Sequence, residues 1–247
     1  MLDLLGWTNS LFETFTGLGF VVKLLLCASG LLLLGWLTGA IRYIDNSRVG
    51  IVEKLFSLRG SVESGLIALE GQAGYQPAVL RGGLHFMLPF HYHVHSVPLV
   101  TIPQGQIGYV FARDGKPLPP TQTLAQAFDG LDFADTRGFL RKGGQRGPQR
   151  AILREGTYAI NLAQFVVLTR GRVFCLPLER SEGAMLAKMA EEILRRDGFE
   201  PIVIASAHDQ IGIVTVHDGP SLAPGDIIAP TVGDDPASAE TYHNNFQ

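Results

Sequence analysis

The sequence predicts an α+β protein: a single N-terminal transmembrane helix, then a strand-rich domain with repeated β units and at least one amphipathic helix. Three observations predict it. Residues 24–41 form a run of eighteen with no charge. After it, short β-branched and aromatic runs recur, punctuated by Gly, Pro and Asp-Gly. One later stretch, 181–197, carries its apolar residues at helical spacing instead.

At about 1.5 Å per residue, the uncharged run rises roughly 27 Å, close to the hydrocarbon thickness of a bilayer. The apolar residues of 17–22 extend it past Lys23, whose long side chain can reach the interface. Phe20 and Trp36 stand near its ends, where aromatic rings favour headgroup level. The span is placed at 17–41, behind a leader of residues 1–16. A helix of this length in a soluble protein would ordinarily show a polar face, and a cleaved signal a basic start. This segment has no such face, and its start carries Asp3 and Glu13. Arg42, Arg48, Lys54 and Arg59 follow the span, while residues 1–22 contain no Lys or Arg. The positive-inside rule then puts the main domain in the cytoplasm, on a single-pass protein of the plasma (inner) membrane.

The chain has 247 residues and a net charge of −3, so nothing pulls it as a whole toward nucleic acid. Its two cysteines, Cys27 in the span and Cys175 in an apolar run, cannot make a disulfide framework. Residues 49–56 read as a strand and 59–74 as a connection. Residues 84–100 read as two strands interrupted by Pro89 and Pro98, which belong on sheet edges. Residues 106–111 read as a strand running into an Asp114-Gly115 turn, and 116–123 as a proline-rich loop. The basic, glycine-rich stretch 136–150 reads as a loop, and 157–178 as two or three strands. In 181–197, Met185, Leu186, Met189, Ile193 and Leu194 share one face. Glu191 with Arg195 and Glu192 with Arg196 make i,i+4 pairs on the other. Strands at 201–206 and 210–216 follow, with a turn at Asp218-Gly219.

Internal repeats are visible. Residues 106–120 and 210–224 align without gaps at an offset of 104 (210 − 106), with eight of fifteen positions identical, among them the Gln-Ile-Gly start and the Asp-Gly turn. A second echo pairs 76–83 with 149–156 at an offset of 73 (149 − 76). A weaker one is the Val-Gly-Ile-Val of 49–52. The domain is accordingly divided into a first β-rich unit, 42–135, and a second α+β unit, 136–247. The second unit stops short of the basic segment that follows the first, so the sequence reads as an N-terminal fragment.

Several of these residues together resemble the SPFH (Band 7) family of stomatins, prohibitins and flotillins. They are Gly82-Gly83, His85-Phe86, Leu88-Pro89-Phe90 and the Val94–Leu99 exit VHSVPL, behind Val49-Gly50-Ile51-Val52-Glu53. The run 144–149 and the repeated Gln-Ile-Gly strand are most similar to the bacterial flotillin-like branch. The long Glu/Ala-rich coiled coil of that family is missing. The resemblance implies a non-enzymatic membrane scaffold that forms homo-oligomers at full length and contacts the lipid bilayer. It also implies protein partners such as an NfeD-type membrane protein or a membrane protease.

No catalytic signature appears: G-x-S-x-G, H-E-x-x-H and C-x-x-C are all absent, and 143–147 lacks the Lys-Ser/Thr of a phosphate loop. No residue is nominated as catalytic, cofactor-binding or metal-binding, and no cofactor is implied. The alternative reading is a membrane-tethered metal-binding sensor or enzyme built on His91, His93 and His95, which share one face of a strand, with His85 nearby. The basic residues of 137–154 could meet anionic headgroups, or acids such as Glu182 and Glu191 of a neighbouring subunit.

Overall fold

The computed structural model describes residues 19–120, 122–127, 133–202 and 224–227. The protein combines helices with strands, and its contacts divide it into two bodies: the described part of 1–43 with 84–91, and the described part of 44–83 with 92–247.

The N-terminal body contains helix α1 (Phe20–Leu37), none of whose residues is buried. It is long and apolar enough to cross a membrane. The helix stops short of the expected residue 41. Thr38 turns its hydroxyl back onto the Leu34 carbonyl at 2.7 Å, and Gly39 takes a left-handed φ of 74°. Strand β1 (Ile41–Ile44) begins two residues later and pairs with β4 (Gly83–Phe86).

The strands between Ile41 and Leu168 are organised by duplication. The first copy comprises β1, β2 (Arg48–Lys54), β3 (Gly74–Leu80), β4 and β5 (Tyr92–Pro98). The second comprises β6 (Val100–Ile102), β7 (Gly108–Ala112), β8 (Gly147–Leu153), β9 (Gly156–Tyr158) and β10 (Phe165–Leu168). The pairing scheme is the same in both: a sheet ordered β3–β2–β5 with a β1–β4 ribbon, then a sheet ordered β8–β7–β10 with a β6–β9 ribbon. The registers agree residue for residue. Ile51 faces His95, Glu53 faces His93 and Lys54 faces Tyr92 in the first sheet. Tyr109 faces Leu168, Phe111 faces Val166 and Ala112 faces Phe165 in the second. Even the irregularity is repeated: the β2–β3 ladder slips between Ile51 and Glu53, and β7–β8 slips between Tyr109 and Phe111.

Side chains repeat as well. Gln76 Nε2 donates to the carbonyls of Gln72 and Gly74 at 3.1 and 3.0 Å. Gln149 Nε2 does the same to Gln145 and Gly147 at 2.8 and 2.9 Å. The sequence echo at offset 73 is therefore the β3/β8 correspondence. The Val49–Val52 echo is the β2/β7 correspondence, at an offset of 58 (108 − 50). The junction between copies falls at Leu99, whereas the sequence suggested a division after residue 135. All but Pro224 of the 210–224 member of the other echo lies outside the described residues, as do the expected strand at 210–216, all but Pro201 and Ile202 of the one at 201–206, and the Asp218-Gly219 turn.

A shared glycine explains part of the echo. A Cβ on Gly50 would lie 2.5 Å from Ile44 Cδ1 and 2.9 Å from Val94 Cγ1. One on Gly108 would lie 2.7 Å from Ile102 Cδ1 and 3.5 Å from Val167 Cγ1, the matching atoms of the second copy. In both copies the isoleucine of the preceding strand fills the space a side chain would take. Gly108→Ala should destabilise the protein by about 1–3 kcal/mol through overpacking, and adding Ile102→Val should recover most of that loss. Thermal unfolding of the two variants in detergent checks this; a double variant no better than the single one refutes it.

The copies stack front to back. Val49, Ile51 and Val97 of the first sheet share the main core with Val110, Ala112, Phe165 and Val167 of the second. Phe133, Phe139 and Phe165 close that core edge to face, with centroids of neighbouring rings 5.1–5.2 Å apart. The other face of the second sheet, Tyr109, Phe111, Val166 and Leu168, packs under Leu186, Met189, Ala190 and Ile193 of helix α3 (Arg180–Leu194). Met185 and Leu194, expected on that face, are exposed instead. The ion pair on α3 is Glu192 with Arg195, at i,i+3.

Residues 136–150 are not a loop. Helix α2 (Thr136–Arg141) starts there, capped by the Asp135 carboxylate accepting from the Gly138 amide at 2.9 Å, and β8 follows. Between β10 and α3, strand β11 (Val173–Phe174) pairs back on β10.

Candidate functional site

The N-terminal body carries the largest concentration of exposed apolar surface. Along β4 and the turn after it, Leu84, Phe86, Leu88 and Phe90 are 57–81% exposed, alternating with better covered neighbours, and Tyr43 on β1 is 71% exposed. Strand alternation accounts for Leu84 and Phe86 pointing the same way. Phe90 holds a positive φ of 62°, an unusual backbone for an aromatic residue. The tip is tied to the end of α1: the Met87 amide donates to the Ala40 carbonyl at 2.8 Å. Arg42 folds back against Gly39 at the same level, where a Cβ would meet its guanidinium at 2.8 Å. One body thus joins an apolar helix with no buried face to an apolar tip anchored at that helix's end. Burying a Leu or Phe is worth about 1.5–3 kcal/mol, so four left in water forgo stabilisation comparable to that of a whole domain. A patch of this kind marks an interaction surface. The sequence read 84–100 as two strands; that Leu84, Phe86, Leu88 and Phe90 face solvent was not legible there.

The histidines are split. His85 and His91 belong to the N-terminal body, and His93 and His95 to the main body. His93 and His95 share one face of β5, with ring centroids 4.5 Å apart. His95 Nε2 lies 2.7 Å from Glu53 Oε2 across the sheet, and Tyr75 packs on His95 with ring centroids 5.8 Å apart. Burial raises the Tyr75 phenol above its ordinary pKa; the charge of Glu53 adds to this and that of Arg113 opposes it. Among the described residues, no group of three or more His, Cys, Asp or Glu side chains is placed to hold a metal ion. His95 is committed to its hydrogen bond with Glu53.

The basic residues have local employment. Arg48 binds Ser96, Lys54 donates to Ser57 and the Gly71 carbonyl, and Arg59 donates to the Glu70 carbonyl. Arg137 donates to the Leu69 carbonyl at 2.6 Å. Glu182, expected to await a neighbouring subunit, is taken by Arg113 of its own chain at 2.6 Å. A cleft of about 630 Å³ lies beside Arg170, Arg172 and Phe174. Arg170 pairs with Glu200 and Arg172 stacks on Phe174, so neither guanidinium is held toward the cleft by a built site.

No known protein family, curated protein or solved structure matches this chain.

Proposed function

We propose that the protein is a membrane-anchored, non-enzymatic scaffold of SPFH/flotillin-like type, which self-associates and organises a membrane patch or membrane-protein partners. The observation that carries this reading is the N-terminal body. Its helix is apolar on all sides, and its apolar tip is hydrogen-bonded to the segment that leaves the helix. In this reading α1 crosses the plasma (inner) membrane once. The tip beds into the interface at the cytoplasmic end of α1, and the duplicated β body stands in the cytoplasm. The motif residues from Gly82 to Leu99 support the family assignment, and an NfeD-type protein or a membrane protease is the kind of partner it suggests.

Topology and anchoring are tested together. In a Cys27→Ser/Cys175→Ser background, a membrane-impermeant thiol reagent applied to intact cells should label Ser10→Cys and spare Ser64→Cys. Labelling of Ser64→Cys reverses the orientation. The chain should also stay with membranes through alkaline carbonate extraction, and release into the supernatant refutes the span.

A further inference from the structure

Duplication exposes one place where the copies differ. After β10 the chain turns back as β11, pairing Val167 with Phe174 and Leu168 with Val173, and the Thr169 amide donates to the Arg172 carbonyl at 3.0 Å. After β5 the chain runs directly into β6. The first copy therefore has no counterpart of β11, and the outer edge of β5 corresponds to the β10 edge that β11 covers.

The free groups on that edge can be assigned. The Leu99 amide donates to the Ser47 carbonyl, which turns the odd-numbered residues of β5 toward β2 and the even-numbered ones outward. Pro98, with no amide proton, stands at an outward position, as sheet edges require. Tyr92, Val94 and Ser96 thus point their amides and carbonyls outward, where Val167 and Thr169 do in the second copy. Among the described residues, one of these groups is covered: the Arg48 guanidinium donates to the Ser96 carbonyl at 2.5 Å. The other outer edges of the two larger sheets are managed. Ile67 bridges Tyr75 on β3 and Ala125 bridges Gln149 on β8, with Ser61 and Lys116 bridging Ala73 and Gln145 just ahead of those strands, and β11 is only two residues long.

We propose that the β5 edge is a self-association surface, pairing antiparallel with β5 of a second copy. The occupant is a second copy because, among the described residues, β5 is the seven-residue edge strand of the larger sheets that carries no bridge; two such edges satisfy each other, closing the pair at two. With Val94 on the two-fold axis, Val94 exchanges both main-chain bonds with its mate, and the Ser96 amide meets the Tyr92 carbonyl of the other copy. Pro98 ends the ladder. On the side-chain face, His93 of one copy stands opposite His95 of the other. So few main-chain bonds make a weak pair in solution; confinement by α1 in a bilayer raises the effective concentration that sustains it. This deepens the self-association in the proposed function and names its surface.

The test uses the full chain in liposomes, again with Cys27→Ser/Cys175→Ser. His93→Cys and His95→Cys chains are reconstituted separately and mixed, then oxidised. Cross-linking is expected in the mixture, several-fold above either chain alone, and Val94→Pro, which removes one outward amide without touching the β2 ladder, should reduce it to background. Equal cross-linking in mixed and unmixed samples overturns the register. Absence of cross-linking, with oligomers still seen by mass photometry of the detergent-extracted chain, overturns the β5 edge and leaves the scaffold reading standing. A monomer in the bilayer overturns both.

Discussion

Asp114→Ala should lower the stability of the main body by about 3–5 kcal/mol, given about 1.5–3 kcal/mol for each hydrogen bond to a charged group and a further penalty for buried amides left unpaired. The Asp114 carboxylate accepts from the amides of Leu66 and Ile67 at 2.7 and 3.2 Å, and from Gly115 at 2.8 Å. Leu66 and Ile67 lie in the connection between β2 and β3 of the first copy, while Asp114 leaves β7 of the second. One side chain therefore fastens the two copies. Alanine leaves two amides from a mostly covered segment with no acceptor. Asparagine keeps one oxygen and should lose about half as much. Gly65, at φ 80°, allows the approach: a Cβ there would lie 2.4 Å from Asp114 Oδ2. Chemical denaturation of Asp114→Ala and Asp114→Asn in detergent checks the order. Equal and small losses would mean that water replaces the carboxylate at no cost.

That motif shows how far the sequence could be read. Asp114-Gly115 was visible as a turn because only glycine accepts such a backbone and aspartate favours turns. That the carboxylate reaches 48 residues back to Leu66 was not visible, since it depends on how the copies stack. The α1 run and the α3 face were legible because each is a periodic or continuous signal longer than ten residues. Met185 and Leu194 depart from that face because the positions that touch the sheet are those of Leu186, Met189, Ala190 and Ile193. Helix α2 was hidden by its glycines: Gly138 and the 143–144 pair read as loop, but Asp135 caps a single short segment between them. The duplication was half legible. Offset 73 appeared because Gln76 and Gln149 keep the same role, whereas β5 and β10 share register with almost no side chains in common. His93 and His95 stand where Val166 and Leu168 do, and only the latter pair has a helix to bury it. The histidine strand thus looked like a site in sequence; in three dimensions the second copy covers the Val49, Ile51 and Val97 part of its face, and among the described residues no helix covers His93 and His95.

Arg113 carries the other large effect. Its guanidinium donates to Glu182 Oε1 from Nε and Nη2 at 2.9 and 2.6 Å, to the carbonyls of Leu162 and Ala163 at 3.1 and 3.0 Å, and to that of Leu176 at 2.9 Å. Both ionic side chains are largely buried, 12% and 19% exposed. Arg113→Leu strands a carboxylate and three carbonyls, and breaking one side of a buried pair typically costs about 3–5 kcal/mol. Arg113→Leu/Glu182→Leu removes the stranded charge as well, and should recover about 1–2 kcal/mol of the loss on the same grounds, while leaving the carbonyls unanswered. The pair also pins the first turn of α3 to β7, so its loss should free that end of the helix before the rest. Cys175 reports on this locally. Burial raises its thiol above the ordinary value, with the nearby Arg113 opposing and Glu182 reinforcing the shift, so it reacts slowly at neutral pH. In Arg113→Leu the opposing charge is gone, and a thiol that stayed buried would react more slowly still. Faster modification of Cys175 in a Cys27→Ser background therefore means that α3 has opened, whereas unchanged or slower modification means that the apolar contacts of Leu186, Met189 and Ile193 hold the helix without the ion pair.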